Sequence, residues 1–221
     1  MTTYYAFKLA DATQQGIDEL LKNLDAGSSA PQHELHTRVS VETSDEILKH
    51  SVEELMQRFQ SGAEGAGILS SLLGILKSTS HVLVRQLLGK QDNKEVAKMV
   101  QYLRSRRVVL KGEVLFGFEM PAELAQRLKT IFAAIAAGDG VAQKAGLTAA
   151  MLSFTDVAVA HFYDDFTAPM ELGFIKRKAS DIGRSTISKG LHVAMNRLIP
   201  QLGQKDLVVF AGFFDALFID A

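Results

Sequence analysis

Three polar side chains in the second half of the chain are spaced so that they could share one helix face. His161 is followed by Asp164 and Asp165, and helix positions i, i+3 and i+4 lie on the same side. An imidazole and two carboxylates so placed can bind a divalent metal or carry out general acid–base catalysis. One hypothesis is therefore a metal-dependent, hydrolase-type enzyme. The alternative is a histidine that satisfies a buried hydrogen bond beside two solvated aspartates.

The motifs that usually accompany such chemistry are missing from the sequence. Di-iron bundles carry Glu-x-x-His on two helices, zincins carry His-Glu-x-x-His, and the chain contains neither. It also lacks the glycine-rich phosphate-binding motifs and the Gly-x-Ser-x-Gly nucleophile elbow. We therefore expect no cofactor and no resident metal, and the sequence favours a protein that is not an enzyme.

A second candidate site is a basic cluster that follows this segment. Its anion-binding candidates are Lys176, Arg177, Lys178 and Arg184. They lie near a helix predicted to begin at Ser180, and free N–H groups at a helix start favour an anion. The pattern is typical of a site for a phosphate-bearing ligand or an acidic lipid. However, residues 153–171 carry four acids and no Lys or Arg, so the acidic and basic segments could instead pair with each other.

Length and composition limit the classes of protein that the chain can form. Its 221 residues are 47% hydrophobic, enough to bury a core in a single globular domain spanning residues 1–221. The net charge of −1 gives no overall attraction to nucleic acid, which is not an expected partner. The absence of cysteine excludes disulfides and fits a reducing compartment. Without the basic and apolar regions of a secretory signal, we expect a cytoplasmic protein.

Residues 66–88 form the apolar segment around which the rest of the chain is arranged. Its apolar residues recur at the spacing of one helix face. They are Ile68, Leu69, Leu72, Leu73, Leu76, Leu83 and Leu87. The other side carries a basic stripe, Lys77, His81 and Arg85, at intervals of four residues. The pattern predicts a helix of roughly 35 Å, at about 1.5 Å per residue.

This amphipathic helix has two interpretations. It could be a central core helix whose basic stripe reaches water along one edge, or a surface helix whose stripe meets anionic lipid. Spanning a bilayer needs about 20 mainly apolar residues, which the charges of this segment disfavour. Gly62, Gly65, Gly67 and Gly74 lower its helix propensity. They indicate a loose start or close contact with a neighbouring element.

Alternation and capping signals predict the remaining elements. We predict strands over residues 4–9 and 35–42, and a hairpin over residues 108–120 that turns at Lys111 and Gly112. The predicted helices cover residues 13–25, 43–59, 92–107, 121–138, 147–166 and 180–200. The helix at 43 follows from a Thr43–Glu46 capping box, and the helix at 92 from Asp92 and Glu95. The apolar tail, residues 207–219, must pack in the core, on another chain or on a membrane.

Together these patterns predict a mainly α, bundle-like fold with a small antiparallel β element, with an α+β fold as the alternative. The leading functional hypothesis is a non-catalytic helical binding protein, with an apolar pocket or a self-association surface as a homo-oligomer. Its partner would be a second copy, an apolar small molecule or an anionic lipid. The rival hypotheses are a peripheral membrane protein that inserts the helix 66–88 and the hydrolase-type enzyme around His161.

Overall fold

The computed structural model describes residues 2–59 and 64–221. Within these residues the fold is mainly helical with a small antiparallel sheet, as the sequence predicts. The α-helices of the described ranges are α1 (Asp11–Asp25), α2 (His33–Leu48), α3 (Glu54–Arg58), α4 (Glu64–Leu88), α5 (Asn93–Arg106), α6 (Ala122–Ala134), α7 (Gly140–Val159), α8 (Asp165–Thr167), α9 (Phe174–Gln201) and α10 (Gln204–Leu217). The π-helical turns π1 (Lys49–Glu53), π2 (Ile135–Asp139) and π3 (Ala160–Asp164) join α2 to α3, α6 to α7 and α7 to α8.

The strands are β1 (Thr3–Phe7), β2 (Arg107–Leu110), β3 (Glu113–Glu119) and β4 (Phe218–Asp220). They form one antiparallel sheet in the order β2-β3-β1-β4. The predicted hairpin is confirmed, because β2 pairs with β3 through a turn in which Lys111 and Gly112 both have positive φ, 51° and 84°. Such a turn follows the natural twist of two antiparallel strands. Strand β4 pairs with β1, so the apolar tail closes the sheet beside the N-terminal strand.

One face of the sheet carries aromatic side chains into the main core. Tyr5, in the centre of β1, lies opposite Phe118 of β3 and Phe218 of β4. Its ring centroid lies 5.5 Å from that of Phe118 and 5.0 Å from that of Phe154 in α7. Such tilted and edge-to-face pairs are favourable between aromatic rings. They attach the sheet to the helical layer.

The central helix is confirmed as α4, and its apolar face lies in the core. Leu69, Leu72 and Leu76 are 1–3% exposed. Helix α4 runs antiparallel to α9, because Gly183 meets Leu83 while Gly190, further along α9, meets the earlier Leu72. A Cβ on Gly183 would lie 2.2 Å from a Leu83 methyl carbon, so an alanine at this position would force the Leu83 side chain to shift.

The glycines of the α4 region were predicted to mark a loose start or a close contact. At Gly65 the contact is close, since an added Cβ would lie 2.9 Å from Leu198 of α9. By contrast, no heavy atom would lie within 4 Å of a Cβ on Gly67 or Gly74. Gly62 lies outside the described residues.

The predicted strand over residues 35–42 is wrong, because these residues belong to α2. The buried side chains of this segment include His36, Val39, Ser40 and Thr43, which follow a helical spacing. Three of the four are polar, so hydrophobicity concealed the period and the alternation of Leu35, Thr37 and Val39 resembled a strand. The Thr43–Glu46 capping box does not start a helix either, since α2 has already run for ten residues.

Two further helix starts differ from the prediction. Helix α7 begins at Gly140 rather than at residue 147, directly after a kink at Gly138, whose φ is 103°. Helix α9 begins at Phe174 rather than at Ser180 and contains Pro200 in its last turn. By contrast, the Asp92–Glu95 capping box is confirmed, because the Asp92 side chain accepts from the backbone N–H of Glu95 at 2.9 Å.

Candidate functional site

A cavity of about 160 Å³ lies in the middle of the helical layer. Its wall is formed mainly by α2, α4, α7 and α9, and is completed by side chains of β1, α3, α5, α8 and α10 and of the turns π1 and π3. A cavity of about 150 Å³ in another protein stays dry and binds benzene, so this space is large enough for one ring or a short alkyl chain. The interior therefore contains a site of ligand size.

The wall is mainly apolar, and none of its described side chains is charged. Its large apolar residues include Leu72 and Leu76 of α4, Met151 and Phe154 of α7, and Leu191 of α9. Apolar surfaces of this kind bind apolar groups because burial removes both partners from water. No Asp, Glu, Lys, Arg or His belongs to the lining described by the structure.

Two of the π turns shape this cavity. Ser51 and Val52 of π1 and Phe162 and Tyr163 of π3 belong to the wall. The extra residue of a π turn changes the direction in which the following side chains point, and such turns are frequent at functional sites. In π1, the Ser51 hydroxyl lies 2.8 Å from the Tyr5 hydroxyl.

The tyrosine hydroxyls near the cavity already have partners. Tyr163 donates a hydrogen bond to the backbone oxygen of Ser180 at 2.7 Å, and Tyr5 bonds to Ser51. Burial raises the pKa of Tyr5 well above its usual value, so its hydroxyl stays protonated at neutral pH. These tyrosines close the wall rather than offer reactive groups.

Two hydroxyl groups of α2 at the wall differ from the tyrosines. Ser40 and Thr43 line the cavity and are 6% and 2% exposed. Ser40 Oγ and Thr43 Oγ1 are buried without a hydrogen-bond partner among the described residues. A buried hydroxyl that lacks a partner is costly, and neither of these oxygens is exposed to the space of the cavity.

The basic stripe of α4 lies beside the cavity rather than inside it. His81 Nε2 lies 2.7 Å from an Asp45 carboxylate oxygen of α2, and Lys77 Nζ lies 4.0 Å from the same oxygen. Arg85 is exposed one turn further along the helix. Asp45 and His81 directly follow the cavity residues Ser44 and Ser80 in sequence. The stripe therefore joins α2 to α4 at the edge of the cavity.

The three residues of the hydrolase-type hypothesis lie together but bond in different directions. His161 Nδ1 lies 2.9 Å from Asp165 Oδ2, in agreement with the predicted shared face. Asp164 instead accepts two hydrogen bonds from Arg184, at 2.6 and 2.7 Å. Arg106 also reaches Asp165, at 3.4 Å. Among the residues that the structure describes, no group of three His, Cys, Asp or Glu side chains is placed to hold a metal ion.

The basic cluster is partly used within the fold. Arg184 pairs with Asp164, and Lys176 Nζ donates to the backbone oxygen of Leu87 at 3.1 Å, at the end of α4. Arg177 and Lys178 are exposed on the first turns of α9. The anion-binding candidates therefore do not converge on one point.

The start of α9 also exposes two large apolar side chains. Phe174 and Ile175 are 83% and 82% exposed and directly precede the three basic residues. An exposed apolar pair beside cations is typical of a segment that contacts another surface. The sequence analysis did not identify these two residues.

Two helical segments of the described chain, Gly65–Leu88 and Ala122–Thr167, are long and apolar enough to cross a membrane by length and composition alone. Core helices pass the same test, so this is weak evidence. Leu76 in the first segment is 3% exposed, and Leu147 and Met151 in the second are fully buried. The core of the protein therefore already covers part of each apolar face.

No family model, curated protein or solved structure matches this chain. The helical spacing of the apolar residues in the sequence predicted the face of α4 that lines the cavity. The sequence did not lead to Ser40 and Thr43, which were assigned to a strand and to a helix cap.

Proposed function

We propose that this protein is a non-catalytic binding protein that holds a small apolar molecule in the cavity between α2, α4, α7 and α9. The observation that carries the proposal is a space of about 160 Å³ whose described lining side chains are all uncharged. Burying an apolar group releases roughly 25 cal/mol per Å² of surface. A molecule the size of benzene therefore gains enough to bind without any charged contact.

The neighbouring chemistry supports binding rather than catalysis. The tyrosine hydroxyls at the wall are bonded within the fold, and His161 and His81 pair with aspartates. A general base must reach the proton that it removes, and the part of the lining that the structure describes contains no imidazole or carboxylate. The cavity can therefore hold a molecule but supplies no group to transform it.

Titration with benzene tests the proposal, with methyl resonances of isotope-labelled protein as the readout. We expect saturable shifts in methyl groups of the wall, such as those of Leu72 and Met151. Ala158 lines the cavity, so Ala158→Leu should fill part of the space and weaken binding at least about tenfold. Ala149→Leu, at an exposed position of the same helix, is the matched control and should bind benzene normally. Absence of saturable shifts in the wild type would contradict the proposal.

A second candidate function is peripheral membrane binding, which the exposed start of α9 favours. Phe174 and Ile175 resemble an apolar insertion pair, and Arg177 and Lys178 beside them would meet anionic headgroups. The sequence suggested the helix of residues 66–88 for this role. Because its leucine face packs against the core, α9 offers the better contact.

Flotation with vesicles that contain anionic lipid tests this second function. The wild type should float at low salt, and the Phe174→Ser, Ile175→Ser double variant should remain at the bottom. Val193→Ser, at an exposed position further along α9, controls for the loss of apolar surface in general. A wild type that never floats excludes this function and leaves the cavity proposal unaffected.

A further inference from the structure

A second, smaller cavity lies where the end of α4 and helix α5 meet the segment that leads into α9. Its volume is about 120 Å³, several times the roughly 10–15 Å³ that one water molecule needs. Leu87 is the one residue that its described lining shares with the larger cavity, so the two spaces are distinct. The smaller cavity has room for a group of several non-hydrogen atoms.

Three lysine side chains from three different segments line this smaller cavity. They are Lys90 after α4, Lys98 of α5 and Lys176 of α9. The lining also contains two carboxylates, Glu95 and Glu171, and each of them already has a partner. Glu171 Oε1 lies 2.7 Å from Lys98 Nζ, and Glu95 accepts from the backbone N–H of Asp92 at 3.1 Å as part of the α5 capping box. Of the four anion-binding candidates in the sequence, only Lys176 belongs to this cavity.

Lys90 and Lys176 differ from Lys98, because neither pairs with an acidic side chain within residues 2–59 and 64–221. Lys176 Nζ donates one hydrogen bond to the Leu87 backbone oxygen at 3.1 Å. An ammonium group has three N–H donors, so this contact fixes Lys176 at the end of α4 and leaves donors for another partner. Leu88 and Met99 give the cavity an apolar, buried part of its wall, and walls of low dielectric strengthen the field of nearby charges. Two ammonium groups are therefore left for an anion.

We infer that this smaller cavity binds a phosphate monoester group, with Lys90 and Lys176 as its main contacts. Such a group carries a charge of about −1.5 to −2 and three strong acceptor oxygens, so it can satisfy both lysines at once. A carboxylate carries one charge and would leave one of them without a counter-ion. Lysine is a common phosphate ligand in proteins. This inference goes beyond the proposed binding of an apolar molecule and does not depend on it.

A soluble phosphate compound and the headgroup of an anionic lipid both present this chemistry. The exposed residues Phe174 and Ile175 lie between the lining residues Leu172 and Lys176 in the chain. A lipid phosphate in the cavity would therefore place this apolar pair at the membrane surface. The experiment must distinguish the two sources.

The first measurement is a titration with inorganic phosphate at neutral pH and constant ionic strength, followed by amide resonances of isotope-labelled protein. We expect saturable shifts at Gly89, Lys90 and Leu172. The Lys90→Gln, Lys176→Gln double variant should weaken binding at least about tenfold, because charge-assisted contacts are strong. Lys90→Gln alone keeps the hydrogen bond of Lys176 to Leu87 and should still weaken binding severalfold.

The matched control is the Lys189→Gln, Lys205→Gln double variant. It removes the same charge at two exposed positions outside the lining, and it should bind phosphate like the wild type. Thermal melts without phosphate show that all variants fold. An equal loss of binding in this control would overturn the inference, because the protein would then attract phosphate only through its general charge.

Flotation separates the two sources of the phosphate group. Phosphatidylcholine vesicles carry an equal fraction of either phosphatidic acid, a phosphate monoester, or phosphatidylglycerol, a phosphodiester. Preferred flotation with phosphatidic acid, lost in the Lys90→Gln, Lys176→Gln variant, identifies a lipid headgroup. Saturable binding of inorganic phosphate without this preference identifies a soluble phosphate compound. If phosphate gives no saturable shifts and phosphatidic acid is not preferred, the inference is overturned, and benzene binding in the larger cavity is unaffected.

Discussion

Acidification should destabilise this protein through His36, a histidine buried inside α2. Its side chain is 1% exposed, and its Nδ1 atom has no hydrogen-bond partner among the described residues. Burial lowers the pKa of His36 to about 4, because the charged imidazolium would lose its hydration. The Gln91 side chain beside the ring favours the charged form, but this effect is smaller than that of burial.

The sign and size of the effect follow from proton linkage. In the unfolded chain His36 takes up its proton near pH 6.5, whereas in the folded protein it does so only near pH 4. Between these values the unfolded state binds more protons, so stability falls as the pH falls. One pKa unit corresponds to about 1.4 kcal/mol, so the loss from pH 7.5 to pH 4 is about 3 kcal/mol. Above pH 7 this contribution is fully present.

Urea unfolding, followed by circular dichroism between pH 4 and pH 7.5, measures the effect. The key comparison is the wild type with His36→Gln, which keeps a polar side chain but cannot take up the proton. The free energy of unfolding of the wild type, minus that of His36→Gln, should fall by about 3 kcal/mol as the pH falls from 7.5 to 4. Contributions of other histidines and of carboxylates cancel in this difference.

Thr37→Val is the control, because it changes a polar side chain one residue later in α2, at a half-buried position, without removing a titratable group. Its pH dependence should follow that of the wild type. If His36→Gln also shows the wild-type pH dependence, the reasoning is refuted and His36 is protonated in the fold without cost.

Two further predictions concern the contacts of α9. Gly183→Ala should lower the free energy of unfolding by about 1–3 kcal/mol, because its Cβ would overlap Leu83. By contrast, Gly74→Ala lies in open space on α4 and should raise the free energy of unfolding by up to about 1 kcal/mol. Equal effects of the two variants in thermal or urea unfolding would argue against the tight α4–α9 contact. Arg184→Gln should lower the free energy of unfolding by no more than about 1 kcal/mol, because the ion pair of Arg184 with Asp164 is part-exposed. This loss should become smaller in 1 M NaCl. A loss that salt does not change would indicate that Arg184 stabilises the fold by packing instead.

The helices that the sequence predicted well are those whose buried face is apolar. Leu69, Leu72 and Leu76 recur at a period that only a helix explains, and α4 follows it. The Asp92–Glu95 cap was also readable, because capping depends on neighbouring residues. Local signals of this kind do not depend on the rest of the fold.

The prediction for α2 was wrong because several of its buried side chains are polar. His36, Ser40 and Thr43 face the interior, so hydrophobicity gave no helical period, and a strand was predicted instead. These three residues provide a buried titratable group and two buried hydroxyls that have no hydrogen-bond partner among the described residues. The burial of polar side chains therefore both concealed the helical period of α2 and placed a titratable group inside the protein.

The site hypotheses show the same division. The shared face of His161 and Asp165 was predicted from their spacing, and the two side chains do touch. The pairing of Asp164 with Arg184 was not predicted, because Arg184 lies 20 residues further along the chain. Only the packing of α9 against π3 brings the two side chains together. The suggestion that acidic and basic segments pair with each other agrees with this contact and with the 2.7 Å pair of His192 and Asp156.

The amino-acid sequence by itself determined the helical class of the fold, the hairpin at Lys111 and Gly112, and the existence of the apolar helix α4. Each rests on period, capping or turn chemistry within a short stretch. The tertiary structure alone decided where the cavity lies, which hydroxyls line it and which charges neutralise one another. A cavity is the space left between helices that are distant in sequence, and no local pattern records how completely those helices fill it.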